Sequence, residues 1–151
     1  MNKYFLLLLL FLLAFSLTAQ ERPLNTGLSN DEQYYFVGMT LAEVIERFGP
    51  PRSVTVARGI DNWQDDVVFR YTGVDFFIHI DRIWQVKFTT THGISIGDPK
   101  AAVLLLLGET AEDNEEHVIV SIPGRNWPLI LRINFNNNEN VSSIFLYRPD
   151  F

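Results

Sequence analysis

The pattern of apolar and polar positions divides the 151-residue chain into a leader, a polar segment and two patterned stretches. Residues 1–19 have a short basic start, an unbroken apolar run and a small, polar end, which is the layout of a secretory signal peptide. We expect cleavage after Ala19 or after Ser16. Residues 20–33 are polar and turn-rich and predict a flexible lead-in. The packed part of the chain is therefore expected to begin near Tyr34.

The patterned part contains one motif twice. Val37–Gly49 and Ile96–Gly108 align without a gap, and both copies have glycine at their second and last positions. Apolar residues recur at helical spacing in the first copy, and the second copy is apolar nearly all round. The motif predicts one short helix over 40–48 and another over 98–107.

Each copy also carries signals for the start and end of a helix. Thr40 and Glu43 form a capping box in the first copy. In the second copy, Asp98 is the expected N-cap and Pro99 the first helical residue. The glycine that ends each copy predicts a left-handed cap.

Alternating apolar and polar residues after each helix predict β-strands. The predicted strands cover 53–58, 67–71, 74–80, 83–89, 117–122, 129–135 and 141–147, with a weak one near 109–115. A unit of about 55 residues hardly closes a core alone. We therefore expect an α+β fold in which two tandem helix-plus-antiparallel-strand repeats, 34–91 and 92–151, form one continuous antiparallel sheet with the helices packed on one face.

The same alternation assigns strand residues to two faces of the sheet. The helix-covered face is expected to take Val67, Phe69, Tyr71, Phe76, Ile78, Ile80, Trp84, Val86, Phe88, Leu129, Leu131, Ile133, Phe135, Ile144 and Leu146. The opposite face takes Val68, Arg70, Phe77, His79, Gln85, Lys87, Ile130, Arg132, Asn134, Ser143, Phe145 and Tyr147. Mixed aromatics, arginine and histidine are typical of a protein-binding surface, although an ordinary open sheet face also carries scattered apolar residues.

Eight residues of that opposite face are the candidate partner-binding residues. They are Arg70, Phe77, His79, Gln85, Lys87, Arg132, Phe145 and Tyr147. Trp63 and Trp127 each precede a strand, so they either form a loop rim of the same site or cap the core. A histidine on a partner face could also gate binding by pH, and we leave this open for His79.

The second helix differs from the first because Leu105 and Leu106 take the places of Glu46 and Arg47. A helix that is apolar nearly all round has to be buried on both sides. Its cover is either the segment 34–36 folding back or another subunit, and we favour the intramolecular cover.

Charge and composition exclude several classes of protein. The net charge of −6 argues against nucleic acid as the main partner. The lack of cysteine excludes disulfides, thiolate zinc sites, cysteine nucleophiles and a lipid anchor on an N-terminal cysteine. We expect an extracytoplasmic protein, periplasmic or secreted, of a bacterial envelope, with no stable membrane span after cleavage. The oligomeric state stays open.

No catalytic or metal-binding spacing is found in the sequence. The histidines are His79, His92 and His117. They match no metal or catalytic motif, and no serine lies in a nucleophile elbow. The acidic cluster Asp61, Asp65 and Asp66 around Trp63 is either a solvated turn or a weak metal site. Asp75 and His79 lie about 13 Å apart along one strand, too far for one proton relay. We expect no enzyme, no cofactor and no metal.

The repeated motif also resembles a known family. Gly-Met-Thr-Leu-Ala-Glu-Val at 38–44, followed by Phe-Gly-Pro-Pro at 48–51, resembles the opening motif of the SmpA/OmlA family, the BamE-like outer-membrane assembly lipoproteins. Trp63 and the segment 67–71 are similar to that family's first long strand. Two tandem copies in one secreted chain are similar to the β-lactamase-inhibitor-protein group. The resemblance implies helices that back a wide antiparallel sheet, whose other face grips a partner protein.

Together these observations predict a non-catalytic binding module. Its partner is expected to be another extracytoplasmic or outer-membrane protein, held by the open face of the sheet. The role would be envelope assembly or scaffolding, or inhibition of a secreted hydrolase. Two alternatives are a periplasmic protein that binds a small ligand or lipid, and an unrecognised hydrolase.

Overall fold

The computed structural model describes residues 29–59, 65–108, 111–123 and 126–150. The expected signal peptide lies outside these ranges, as do Asp61 and Trp63. The described helices are α1 (Asn30–Tyr34), α2 (Leu41–Phe48) and α3 (Lys100–Leu107). The described strands are β1 (Ser53–Ala57), β2 (Asp66–Tyr71), β3 (Val74–His79), β4 (Arg82–Phe88), β5 (Thr90–Thr91), β6 (Ile94–Ser95), β7 (Ala111–Asp113), β8 (His117–Ile122), β9 (Leu129–Phe135) and β10 (Val141–Tyr147).

Eight strands form one antiparallel sheet in the order β1-β2-β3-β4-β10-β9-β8-β7. The strands of each half of the chain are therefore neighbours, and β4 pairs with β10 where the halves meet. The short β5–β6 hairpin stands apart from this sheet.

The protein is mostly β, and the predicted α+β class of helix-plus-strand repeats with helices packed on the sheet is wrong. The longer helices have eight residues each, and each buries a single residue, Val44 in α2 and Val103 in α3. Two helices of about 12 Å are short beside a sheet roughly 35 Å wide. The helices therefore do not form a layer that covers the sheet.

Most of the local predictions are confirmed. The observed β8, β9 and β10 coincide with their predicted ranges, and β1 to β4 agree within one residue at each end. The weak strand exists as β7. The capping box of α2 is present, because the Glu43 amide donates to Thr40 Oγ1 at 3.3 Å and the Thr40 amide donates to Glu43 Oε2 at 2.7 Å.

The predicted start of α3 is wrong. Its N-cap is Pro99, which offers no side-chain hydrogen bond to the helix. The Asp98 carboxylate, expected to cap the helix, instead accepts from the Ser95 amide at 2.7 Å. The glycines that end α2 and α3 do have the expected positive φ, but their ψ values of −168° and −150° lie outside the left-handed helical region.

The predicted lead-in overlaps α1, which begins after a Ser29 N-cap. Phe36 follows this helix and is fully buried. Its ring packs edge-on against Phe48 and against Phe76, each with centroids 5.4 Å apart. The N-terminal segment therefore contributes directly to the core side of the sheet.

The predicted cover of α3 is not found in the part of the chain that the structure describes. Leu105 is 85% exposed and Leu106 is 59% exposed. The segment 34–36, expected to fold over them, directs Phe36 into the core beside α2 instead. The physical reason is that this segment begins at the last residue of α1, and Gln33 and Tyr34 of that helix are hydrogen-bonded to the β5–β6 hairpin.

This docking contact is built around a half-buried histidine, His92, in the hairpin turn. The Thr91 hydroxyl donates to Gln33 Oε1, and it lies 2.8 Å from His92 Nδ1. The Tyr34 hydroxyl is hydrogen-bonded to His92 Nε2 at 2.5 Å. These contacts fit a neutral imidazole that donates from Nδ1 and accepts at Nε2. Burial lowers the pKa of His92, and the charge of Asp31 opposes this shift.

We expect the stability of the protein to fall in mild acid through His92. Because burial disfavours the charged imidazole, the unfolded state binds the proton more readily. The contribution of His92 is complete above its unfolded pKa of about 6.5, and it is lost as the pH falls from there towards the lower folded pKa. The measurement is the free energy of unfolding in urea between pH 8 and pH 5.

His92→Asn is the matched variant, because asparagine tolerates the positive φ of 55° at this position. The wild type should lose more stability than the variant over this pH range. Equal losses in both proteins would contradict a role for His92.

The edge strand β1 exposes an apolar strip. Val54 and Val56 are 54% and 50% exposed, and Val56 lies opposite the exposed Val67 of β2. The strand itself carries no charged residue, whereas the opposite edge strand β7 carries Glu112 and Asp113. Charged side chains protect an edge from pairing with another chain, so β1 is the less protected edge.

We expect Val54→Thr/Val56→Thr to reduce self-association at high concentration while changing the free energy of unfolding by less than about 0.5 kcal/mol. The reason is that threonine keeps the β-branched shape but removes half-exposed apolar surface. Sedimentation velocity over a concentration series and urea unfolding are the measurements. The fully buried Val86 is the control, since Val86→Thr should cost about 1–3 kcal/mol. Equal association of the wild type and the double variant would contradict the prediction.

Candidate functional site

Alternate residues of the central strands point away from the buried core, and we call this surface the open face. Its members are Asp66, Val68, Arg70, Asp75, Phe77, His79, Gln85, Lys87, His117, Ile119, Ile130, Arg132, Asn134, Ser143, Phe145 and Tyr147. All eight candidate partner-binding residues lie on it. The structure therefore brings them together on one side of the sheet.

Strand register arranges these residues in rows across the sheet. One row runs Arg70, Asp75, Lys87, Phe145, Arg132, Ile119. A second row runs Val68, Phe77, Gln85, Tyr147, Ile130. Directly opposed residues in an antiparallel sheet have Cβ atoms about 5 Å apart, so each row is a continuous strip of side chains. Both strips cross the β4–β10 junction.

Two aromatic rings bridge the rows. The rings of Phe77 and Phe145 are 6.4 Å apart at 64°, an edge-on contact. Lys87 Nζ lies 5.8 Å from the centroid of the Phe145 ring. The rings of both halves of the chain therefore form one aromatic cluster at the centre of the open face.

In the first half, Asp75 lies between two cations, Arg70 and Lys87. Asp75 lies opposite Arg70 on β2 and opposite Lys87 on β4. Burial raises the pKa of Asp75, while the charges of Arg70 and Lys87 oppose the shift. This aspartate therefore offsets cationic charge on both neighbouring strands.

A β-bulge moves Trp84 away from its predicted place in the core. Ile78 pairs with Ile83 and Phe77 pairs with Gln85, which leaves Trp84 as the extra residue of β4. Its indole Nε1 donates to Asp66 Oδ1 at 3.0 Å. The assignment of Trp84 to the covered face is therefore wrong, because the bulge interrupts the alternation of side chains between the two faces.

His79 is paired with Asp66 rather than with Asp75. Its Nδ1 lies 3.8 Å from Asp66 Oδ1. Burial raises the pKa of Asp66, and the hydrogen bond from Trp84 and the charge of His79 oppose that shift. The sequence-based prediction missed Asp66 as a site residue because the predicted strand began at Val67. Counting back in twos from Val68 would have placed Asp66 on the open face.

The acidic cluster is divided by the fold. Asp65 bonds Arg58 and the Gly59 amide beside β1, while Asp66 turns to the open face. Asp61 lies outside the described residues. Within the described ranges, no group of three or more His, Asp or Glu side chains is placed to hold a metal ion.

A second polar network occupies the open face of β8, β9 and β10. Arg132 Nε donates to Asn134 Oδ1 at 2.8 Å, and Arg132 Nη2 lies 3.3 Å from His117 Nδ1. Asn134 Nδ2 in turn donates to Ser143 Oγ at 2.9 Å. These bonds hold the guanidinium in a fixed position near the aromatic cluster.

A shallow depression of about 280 Å³ lies between the two sets of residues. It is lined by Trp84, Gln85, Arg132, Asn134, Phe145 and Tyr147. Four of these belong to the candidate set, and Trp84 was expected in the core. Aromatic and arginine side chains around a concave centre are the usual make-up of an energetic hot spot.

The exposure of Ile80 and of Val68 differs from what their predicted faces imply. Ile80 was expected in the core but is 92% exposed, because it lies in the β3–β4 turn with a φ of 58°. Val68 lies on the open face as expected but is only 3% exposed. Val68 therefore supports the site and offers little contact surface.

Trp127 packs against the core side of the molecule rather than the open face. Its Cζ2 lies 2.6 Å from the position that a Cβ on Gly38 would take, and the Arg148 guanidinium lies 4.9 Å above its ring. Trp127 also lines a cavity of about 600 Å³ with α2 and the segment that precedes it. Trp63, the other predicted rim residue, lies outside the described residues.

Comparison with known proteins gives a likeness of fold alone. No family model matches the chain, and no curated protein matches it. A solved extracellular protein containing a SCP domain from Bacillus anthracis str. Ames is similar, with a TM-score of 0.53 and 6% identity. The match covers 87% of this chain and 49% of that one, so this chain spans about half the length of that protein. The resemblance to the SmpA/OmlA family stays a prediction.

We expect Gly38→Ala to destabilise the protein more than Gly97→Ala. Both glycines have a φ near 97°, so alanine is strained at either position. A Cβ at Gly97 meets open space, whereas one at Gly38 meets Trp127. The overpacking at Gly38 should add about 1–3 kcal/mol, measured by urea unfolding.

Trp127→Ala supplies the internal check. In a double-mutant cycle it should recover part of the loss caused by Gly38→Ala and none of the loss caused by Gly97→Ala. Equal losses from the two glycine variants would contradict the contact.

Proposed function

We propose that this protein is a non-catalytic binding module that holds another extracytoplasmic protein on the open face of its sheet. The observation that carries the proposal is the cluster of Phe77, Phe145 and Tyr147 with cationic and amide side chains, at the junction of the two halves. Aromatic and arginine residues dominate the binding energy of protein interfaces.

The shape of the open face favours a protein over a small molecule. Its depression holds about 280 Å³, whereas ligand pockets usually enclose roughly 300–1,000 Å³. The larger cavity beside Trp127 is lined by Glu43, Glu46, Arg47 and Arg82 as well as apolar residues. A lipid carrier would need a deeper apolar cavity than either of these.

The similar solved protein is extracellular, which supports an extracytoplasmic location. None of the described helices is both long and apolar enough to cross a bilayer. Envelope assembly and inhibition of a secreted hydrolase are the two roles proposed for such a module, and the identity of the captured partner separates them.

We expect Phe77→Ala/Tyr147→Ala to abolish retention of the partner. The test is an affinity pull-down from envelope extract with residues 20–151 as bait, followed by titration of the purified partner. Loss of two central aromatic anchors should weaken binding by about 2–4 kcal/mol, while circular dichroism and urea unfolding confirm that the bait is folded.

Leu105→Ala/Leu106→Ala is the matched control, because it also removes two large apolar side chains, and these are exposed on α3 rather than placed on the open face. A partner retained by the control and lost with the open-face variant supports the proposal. A partner lost only with the α3 variant moves the site to that helix. Co-purified lipid, or turnover abolished by His79→Ala, would support the two other classes and overturn the proposal.

A further inference from the structure

We propose that the depression around Arg132 takes a carboxylate side chain of the partner protein. This inference rests on the proposed function, since it names the chemistry that one point of the open face recognises.

Arg132 is half-buried, and an amide and an imidazole hold its guanidinium. Among the described residues no carboxylate lies within 4.0 Å of it, and its hydrogen-bond partners are Asn134 and His117. Some other cations have acidic partners, such as Lys100 with Asp113 at 2.7 Å and Arg148 with Asp150 at 2.8 Å. A half-buried charge without a counter-charge is unfavourable. In the free protein, the positive charge of Arg132 therefore lacks a compensating negative charge.

Asn134 and His117 leave part of the guanidinium available. They occupy Nε and one terminal nitrogen, and the planar fork of arginine matches two carboxylate oxygens. The bond from Asn134 to Ser143 fixes the amide that holds Arg132 Nε. The donor is therefore already oriented before a carboxylate arrives, which limits the entropy lost on binding.

The aromatic walls strengthen such a pair. Phe145 lies directly opposite Arg132 in the strand register, and Trp84 and Tyr147 line the same depression. A partner surface closing over these rings would exclude water, and an ion pair is stronger in a medium of lower dielectric. The nearest acidic residue in the same row is Glu112, which lies two strands away beyond Ile119.

The size of the depression selects a side chain. A volume of about 280 Å³ accepts one aspartate or glutamate side chain and is at the lower limit for a complete small ligand. The partner is therefore expected to present an exposed acidic residue whose surroundings contact Phe77 and Tyr147.

The first experiment uses a defined probe. N-acetyl-glutamate methylamide is titrated into the ¹⁵N-labelled protein while the indole signal of Trp84 and the Nε signal of Arg132 are followed. N-acetyl-glutamine methylamide is the uncharged control probe. We expect saturable shifts with the first compound, none with the second, and loss of the shifts in Arg132→Gln. Equal shifts with both probes, or shifts that persist in Arg132→Gln, would overturn the inference.

The second experiment uses the captured partner. Arg132→Gln should weaken binding about thirty-fold or more, Arg132→Lys should restore only part of the affinity, and Arg70→Gln on the same face should have a smaller effect. If partner binding is unchanged in Arg132→Gln but lost in Phe77→Ala/Tyr147→Ala, the carboxylate inference is overturned and the proposed function is retained. If partner binding is unchanged in both of these variants, the carboxylate inference and the proposed function are both overturned.

Discussion

The pairing of β4 with β10 is the contact on which the rest of the sheet depends. On the core side it brings together Val86, Phe88, Ile144 and Leu146, none more than 1% exposed. The alternating residues of the same strands are Gln85, Lys87, Phe145 and Tyr147. One register therefore closes the core and also unites the open-face residues of the two halves. A slip of one residue would exchange the two sets, so the buried side fixes the composition of the exposed side.

The sequence predicts the strands well because a strand has a period of two and its apolar side has to be buried. The eight candidate residues fall on one face for the same reason. Prediction fails where the backbone leaves that period. The bulge places Trp84 on the open face instead of in the core. Ile80 has a positive φ and lies in a turn. Neither feature has a signal in the alternation of apolar residues, and only the paired strand reveals it.

The helix signals have a different limit. Capping and glycine positions describe how a helix begins and ends, and they located α2 within one residue. They do not say how much of a sheet the helix covers. Each of the two longer helices has about two turns and buries a single residue. Strong local signals therefore led to the wrong fold class. The apolar character of Leu105 and Leu106 is also a local property, and it does not ensure that another segment covers them.

Helix α3 and the open face differ in their chemistry as candidate recognition surfaces. Helix α3 exposes leucines from a single turn, with no basic residue in that turn, so it offers apolar area without directional contacts. The open face combines aromatic rings, amides and an uncompensated guanidinium from several strands. Directional and charged contacts confer specificity, while apolar area alone confers little. Because these strands also line the buried core, their side chains are held in place before a partner arrives, which favours binding. These properties are the reason that we propose the open face, rather than α3, as the partner-binding surface.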